Sequence, residues 1–312
     1  MDFSLNSTRV RNQLVVPPSD MPLVPGLAPD TPDHSSLFDA SSGSNEEAIL
    51  NLSGRISSDK KEADPQKQIK LLRCSTLLKI STFNVRTLNG RSQINELFSS
   101  MSKQSIDIIA IQEHRIFHPE EELRYLSKSG SQLITFSATK NSIINATIGG
   151  VGLLLSSKAC NNLTKIESIS SRIMVAEFSS NPVLTVVCAY SPHNSSPEEE
   201  VDEFYTSLKN LLNNIPKHNF LAIAGDFNAK LAAPDVLFSY NKESNRNGDH
   251  LVNLIEEYDL FSSNNFFRKC PNHLWTFQYP NDTKAQIDYI LFRRKWKNSV
   301  KDSRSYSSWK RM

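Results

Sequence analysis

The chain has 312 residues, 38% of them hydrophobic and 22% charged, with a formal net charge of +2. No stretch approaches the roughly 18 uninterrupted apolar residues of a membrane span, and Met1-Asp2-Phe3-Ser4-Leu5-Asn6 lacks the basic and apolar regions of a secretory signal. Cys74, Cys160, Cys188 and Cys270 form no Cys-x-x-Cys pair, which argues against a structural zinc site and a disulfide framework. The expectation is a reduced, intracellular protein with no membrane partner; a nuclear location is compatible, without a clear signal for it.

Residues 1–75 are rich in Ser, Pro, Asn and Asp, and Pro17, Pro18, Pro22, Pro25, Pro29 and Pro32 interrupt any regular period. That composition predicts a disordered N-terminal segment. From Leu77 the pattern changes. Leu77–Phe83 reads as a strand, and Ile94, Leu97, Phe98 and Met101 then recur at helical spacing. Ile106–Ile111 is a second strand, and a short helix is expected over Glu120–Lys128, with Gly130 placed to end it. Strands follow at Gln132–Ser137, Gly152–Ser156, Ile173–Phe178 and Leu184–Tyr190.

The next helix is expected to be capped by Ser196, with Pro197 at its first position and Glu199 completing a capping box. Val201, Phe204, Tyr205, Leu208, Leu211, Leu212 and Ile215 form its apolar stripe. Phe220–Ala224 is a strand, Leu251–Tyr258 a helix and Ile287–Phe292 the last strand. Short strands with intervening helices indicate an α/β domain with a mixed sheet or two packed sheets. From Arg293 to Met312 there are eight Lys or Arg and one Asp, a local charge of +7. The rest of the chain therefore carries 2 − 7 = −5. Such a basic segment either contacts phosphates or is a solvated tail.

Several strand ends carry polar residues of one chemical type. Leu221-Ala222-Ile223-Ala224 runs into Gly225-Asp226-Phe227-Asn228, and Phe83 leads into Asn84. Ile111 leads into Gln112-Glu113, Ala189 into Tyr190, and Trp275-Thr276 precedes Gln286-Ile287-Asp288-Tyr289. In open α/β sheets ligands bind beyond the carboxyl ends of strands. An Asp-Asn pair there holds a metal, a water or a phosphate, or simply makes a turn.

The order Thr82-Phe83-Asn84-Val85-Arg86, Gln112-Glu113-His114, Ala189-Tyr190-Ser191-Pro192, Gly225-Asp226-Phe227-Asn228 and Ile287-Asp288-Tyr289 resembles the endonuclease/exonuclease/phosphatase superfamily. More narrowly, it is similar to the endonuclease domains of non-long-terminal-repeat retrotransposons and the craniofacial development protein 2-like proteins. The resemblance covers roughly Leu77–Tyr306. It implies a domain over residues 76–306, with 307–312 a divergent tail, and a four-layer α/β sandwich of two packed mixed sheets flanked by helices.

The resemblance further implies that Glu113, with Asn84 beside it, holds Mg2+ or Mn2+, as hard oxygen ligands suit such ions. Asp226 would orient or deprotonate the attacking water, and Asn228 would hold the scissile phosphate. Tyr190 would bond that phosphate or assist the leaving group, and Asp288 would orient a catalytic histidine. Arg86, His193, Trp275, Arg293 and Arg294 are further candidates for binding DNA, the implied partner, by a protein expected to be a monomer. The implied activity is metal-dependent DNA cleavage of the retrotransposon type.

One part of the pattern is missing. The superfamily ends in Ser-Asp-His and an apolar strand, whereas here Tyr306 is followed by Ser307-Ser308-Trp309-Lys310-Arg311-Met312. The sandwich is therefore expected to lack its last core strand and to leave an uncovered edge. Among the seven histidines, none follows Asp288; His114 and His193 are the ones that follow site motifs closely. Two alternatives accompany the nuclease reading: an inactive remnant that binds nucleic acid through Arg293, Arg294, Lys295 and Lys297, and a phosphatase or lipid phosphodiesterase.

Overall fold

The computed structural model describes residues 77–88, 90–142 and 146–306. The expectations for residues 1–75 and 307–312 lie outside the described residues. The first half runs β1 (Ile80–Asn84), α1 (Arg91–Gln104), β2 (Ile108–Gln112), β3 (Glu122–Leu126) and β4 (Gln132–Phe136). It continues with a small hairpin, β5 (Thr139–Asn141) and β6 (Ala146–Ile148), then β7 (Val151–Leu155) and the single turn α2 (Ser157–Cys160). The second half runs β8 (Leu163–Ser170), β9 (Ile173–Phe178), β10 (Leu184–Tyr190), α3 (Glu198–Asn214), β11 (Phe220–Asp226) and α4 (Arg246–Glu257). It ends with β12 (Leu260–Ser262), the hairpin β13 (Phe277–Gln278) and β14 (Lys284–Ala285), and β15 (Asp288–Arg293).

Two mixed sheets carry the fold. One has the order β1-β2-β7-β4-β3 and the other β12-β15-β11-β10-β9-β8. The β1–β2 and β10–β11 pairs are parallel, and the remaining pairs are antiparallel. Because side chains alternate across a strand, each sheet sorts its apolar residues into two sets. In β2, Ile108 and Ala110 enter the layer between the sheets, while Ile109 and Ile111 pack with Ile94, Leu97, Phe98 and Met101 of α1. In β11, Phe220, Ala222 and Ala224 enter that same central layer. Leu221 and Ile223 pack outward with Phe204 and Leu208 of α3 and Leu251 and Leu254 of α4. The result is the expected four-layer α/β sandwich.

Local departures from the sequence reading have physical causes. The segment expected as a helix over Glu120–Lys128 is the strand β3, paired along its length with β4. Gly130 makes the connecting turn at φ 81° instead of ending a helix, and the Ser127 and Ser131 backbones bond across that turn. Strand pairing satisfies every second backbone group here, which outweighs a weak helical spacing. Ser196 does not cap α3: Pro197 is the cap residue, in an extended conformation with no side-chain bond. The Ser196 carbonyl instead accepts from Arg246 at 2.9 Å. Glu198, Glu199 and Glu200 occupy the first turn, where carboxylates favour the positive end of the helix dipole. Helix α4 begins five residues before the expected Leu251, capped by Asn245. Among the described residues the end strand β1 pairs only with β2, and all five of its residues are buried.

Candidate active site

Strand direction brings the polar strand ends together. β1 and β2 run parallel and end side by side at Asn84 and Gln112. In the other sheet β10 and β11 end together, Tyr190 beside Asp226, and antiparallel β15 begins with Asp288 opposite Asp226. Gly225 precedes Asp226 for a steric reason: a Cβ there would collide with the backbone carbonyl of Ala189 on β10.

Two hydrogen bonds join the sheets at this rim. The Tyr190 hydroxyl donates to Glu113 Oε1 at 2.9 Å, and Asn84 Nδ2 donates to Asp226 Oδ2 at 3.0 Å. Asp226 Oδ1 accepts from the Asn228 amide at 3.0 Å, and Asn228 Nδ2 donates to the Ser191 carbonyl at 3.0 Å. Asn84 Oδ1 accepts from the Arg86 amide at 2.9 Å. Asp288 is fully buried, and its amide donates to Thr276 Oγ1 at 3.3 Å. The structure therefore gathers Asn84, Glu113, Tyr190, Asp226, Asn228 and Asp288 in one place.

The backbone is strained there. Arg86, Glu113, Arg115 and Asn228 have φ of 59°, 58°, 56° and 48°. Each such left-handed residue costs on the order of 1–3 kcal/mol and persists only where its surroundings fix it. Asn245 supplies part of that fixing: its Oδ1 caps α4 through Gly248 at 2.9 Å and accepts from the Lys230 amide at 2.7 Å. Its Nδ2 donates to the Asn228 carbonyl at 3.1 Å.

Guanidinium groups surround the carboxylates. Arg115 reaches Glu113 Oε1 at 3.1 Å. Arg86 stacks its guanidinium 5.1 Å from the Phe277 ring, and its buried Nη2 has no hydrogen-bond partner among the described residues. Burial pushes the Arg86 pKa down, and the charges of Glu113 and Asp226 push it back up; it stays a cation. Arg172 stacks 5.2 Å from the Tyr190 ring. Burial first, then the neighbouring Glu113 and Asp226 charges, hold the Tyr190 phenol well above its ordinary pKa, so it is a standing proton donor.

Residues 81–306 match the endonuclease/exonuclease/phosphatase family. The chain belongs to that family. Craniofacial development protein 2 of Bos taurus is 28% identical over 246 residues, covering 76% of this chain and 39% of that protein. The Tragulus javanicus protein is 27% identical over 246 residues, covering 76% and 40%. The chain thus spans about two fifths of the length of the curated relatives it matches. An AP endonuclease from Archaeoglobus fulgidus superposes with a TM-score of 0.51 at 16% identity, covering 70% of this chain and 88% of that one. The 3′ phosphatase NExo from Neisseria, bound to a product DNA hairpin, gives 0.50 at 17% identity, covering 69% and 86%. At these identities the likeness establishes the fold.

Enzymes of the endonuclease/exonuclease/phosphatase family generally depend on a divalent metal, and the donors at this rim fit one. Glu113, Asp226 and the Asn84 amide present hard oxygens, and Glu113 Oε2 accepts no bond from the described residues. His114 does not join them. Its Nδ1 accepts from the Ile116 amide at 3.0 Å and its Nε2 lies 3.2 Å from the Val151 carbonyl, which fixes a neutral ring under Gly150. Glu198, Asp202 and His250 also cluster, but on α3 and α4, where Arg246 already pairs with Glu198 at 2.9 Å.

Other residues from the sequence reading fall elsewhere. His193 is exposed in the loop after Tyr190, and Trp275 is buried with Lys284 against its ring at 4.8 Å. Arg293 and Arg294 lie at the opposite end of β15 from Asp288, roughly 17 Å along the strand. Arg293 donates to the carbonyls of Ile215 and Pro216 beyond α3, and Arg294 to Asp259 and Leu260. Both guanidinium groups are thus committed to local structure on the far rim. Arg115, Arg172 and Asn245 were not singled out from sequence. Arg115 follows Glu113 by two residues, and Asn245 is a residue type favoured at helix N-caps.

Proposed function

We propose that this chain hydrolyses phosphodiester bonds in DNA as an Mg2+- or Mn2+-dependent endonuclease of the retrotransposon type. The observation that carries the reading is the pair of inter-sheet bonds, Tyr190 to Glu113 and Asn84 to Asp226. They set two carboxylates with different surroundings together at one rim of the sandwich. The DNA-related names of the two structural neighbours agree with a nucleic-acid substrate.

Glu113, with Asn84, would hold the ion, which supplies charge stabilisation at the phosphoryl oxygens when bound. Asp226 accepts from the Asn84 side chain and the Asn228 amide, which fix its carboxylate to orient or deprotonate the nucleophile. Tyr190, kept protonated, donates to the phosphate or the departing oxygen. Asn228 is fixed at its backbone and its amide, and Arg86, Arg115 and Arg172 supply positive charge around the phosphate. Asp288 lies opposite Asp226 in the β11–β15 register and is fully buried.

Nicking of supercoiled plasmid by the purified chain with Mg2+, lost in Glu113→Ala, tests the reading. Salt-dependent DNA binding without nicking above the Glu113→Ala background would instead support a binding protein. Hydrolysis of an inositol phosphate in place of DNA would move the substrate to a phosphatase or lipid class.

A further inference from the structure

A polar chain runs through the layer between the sheets directly beneath the site. On β10 the inward positions are Leu184, Val186, Cys188 and Tyr190. Cys188 is fully buried, and its thiol donates to the Ile111 carbonyl at 3.3 Å. Gln112 Nε2 donates to the Cys188 sulfur at 3.2 Å, and Gln112 Oε1 accepts from Thr82 Oγ1 at 3.1 Å. This chain ties β1, β2 and β10 together across both sheets. It lies one residue before Glu113 and two before Tyr190.

Burial pushes the Cys188 thiol up to about 12, so the group stays an S–H and does not act as a nucleophile. A buried polar chain is costly unless every member is satisfied, and an aliphatic residue would fill the volume at position 188 without that requirement. What the chain supplies is a fixed position for Gln112, next to a glutamate whose backbone is left-handed. Such a residue relaxes unless its neighbours are held.

Resting on the metal-dependent reading of the site, we propose that Cys188 is a positioning residue that locks Gln112 and thereby holds the Glu113 carboxylate opposite Tyr190 in its ion-binding geometry. The full chain with Cys188→Val, Cys188→Ser and the pair Gln112→Leu/Cys188→Val tests this. Two quantities are read: deuterium uptake at 111–115 relative to 220–226, and Mn2+ affinity by electron paramagnetic resonance.

Cys188→Val should raise exchange at 111–115 about tenfold and weaken Mn2+ binding by a similar factor, the scale of one lost hydrogen bond. Cys188→Ser, which keeps a donor and an acceptor, should recover most of both. The double variant leaves no buried amide without a partner, only the Thr82 hydroxyl without its acceptor, so it should stay folded and still show both effects. Unchanged exchange in Cys188→Val overturns the proposal. So does a double variant that returns to parental exchange and affinity, because the single variant's effect would then have been an unsatisfied amide alone. If the parent shows no Mn2+ binding that Glu113→Ala removes, the metal reading fails by itself, and exchange still decides whether Cys188 holds the segment.

Discussion

Tyr190 combines three properties that are separable by substitution: a hydroxyl bonded to Glu113, a ring under Arg172, and a pKa raised chiefly by burial. Tyr190→Phe keeps the ring and deletes only the donor. Single-turnover cleavage should fall about 10²–10³-fold, the usual loss for one donor aimed at developing charge. Thermal stability should change little, because the Glu113 carboxylate keeps Arg115 as a partner. Since the phenol titrates above its ordinary value, the wild-type rate should show no alkaline decline from this group up to about pH 10. A rate that falls in that range while Tyr190→Phe shows the same fall would assign the titration elsewhere.

At the scale of elements, α4 supports the site through its capping residue. Asn245 makes three bonds at once, to Gly248, Lys230 and Asn228. Asn245→Ala removes a helix cap worth about 1 kcal/mol and leaves two further backbone groups without that partner. Urea unfolding should therefore show roughly 2–3 kcal/mol of destabilisation. Asn245→Asp keeps both acceptor bonds and loses only the donor to Asn228. Its stability should stay within about 1 kcal/mol of the parent, while turnover falls because Asn228 loses the bond to its carbonyl and keeps only those to Asp226 and Ser191. Equal losses in both variants would reduce Asn245 to a plain cap.

This element also marks where sequence reading stops. The apolar stripe of Leu251, Leu254 and Ile255 made the body of α4 legible, as Ile94, Leu97, Phe98 and Met101 did for α1. The start was missed because Asn245-Arg246-Asn247-Gly248 carries no apolar period. The strands ending at Gln112, Tyr190 and Asp226 were legible as continuous apolar runs because both their faces are buried. β8 was not, since Leu163–Ser170 is an exposed, bulged strand with little apolar content. The residues with positive φ at Arg86, Glu113 and Arg115 left no sequence trace, because nothing local demands that geometry.

For the molecule as a whole, acid should be more damaging than the near-neutral charge suggests. His114 is buried and neutral, and desolvation pulls its pKa from 6.5 down to about 4. A base depressed in the folded state contributes stability that is fully present above its unfolded pKa. That stability is lost as the pH falls from about 6.5 through about 4. The shift corresponds to roughly 3 kcal/mol at most. Unfolding free energies measured from pH 7 to pH 4 should therefore slope less steeply in His114→Gln than in the parent, although the variant is less stable at pH 7. Parallel curves would show that the carboxylates alone govern acid unfolding.

The layered arrangement has a mechanical side. Glu113 and Asn84 ride on one sheet, and Tyr190, Asp226 and Asp288 on the other, so the site behaves like the jaws of a caliper. The two sheets meet through the packing of the middle layer, where Leu153, Val186 and Ala222 lie. A methylene gained or lost there moves one jaw against the other while every reacting group keeps its identity. Tuning of the chemistry, and its accidental loss, is then available to substitutions that never touch the rim.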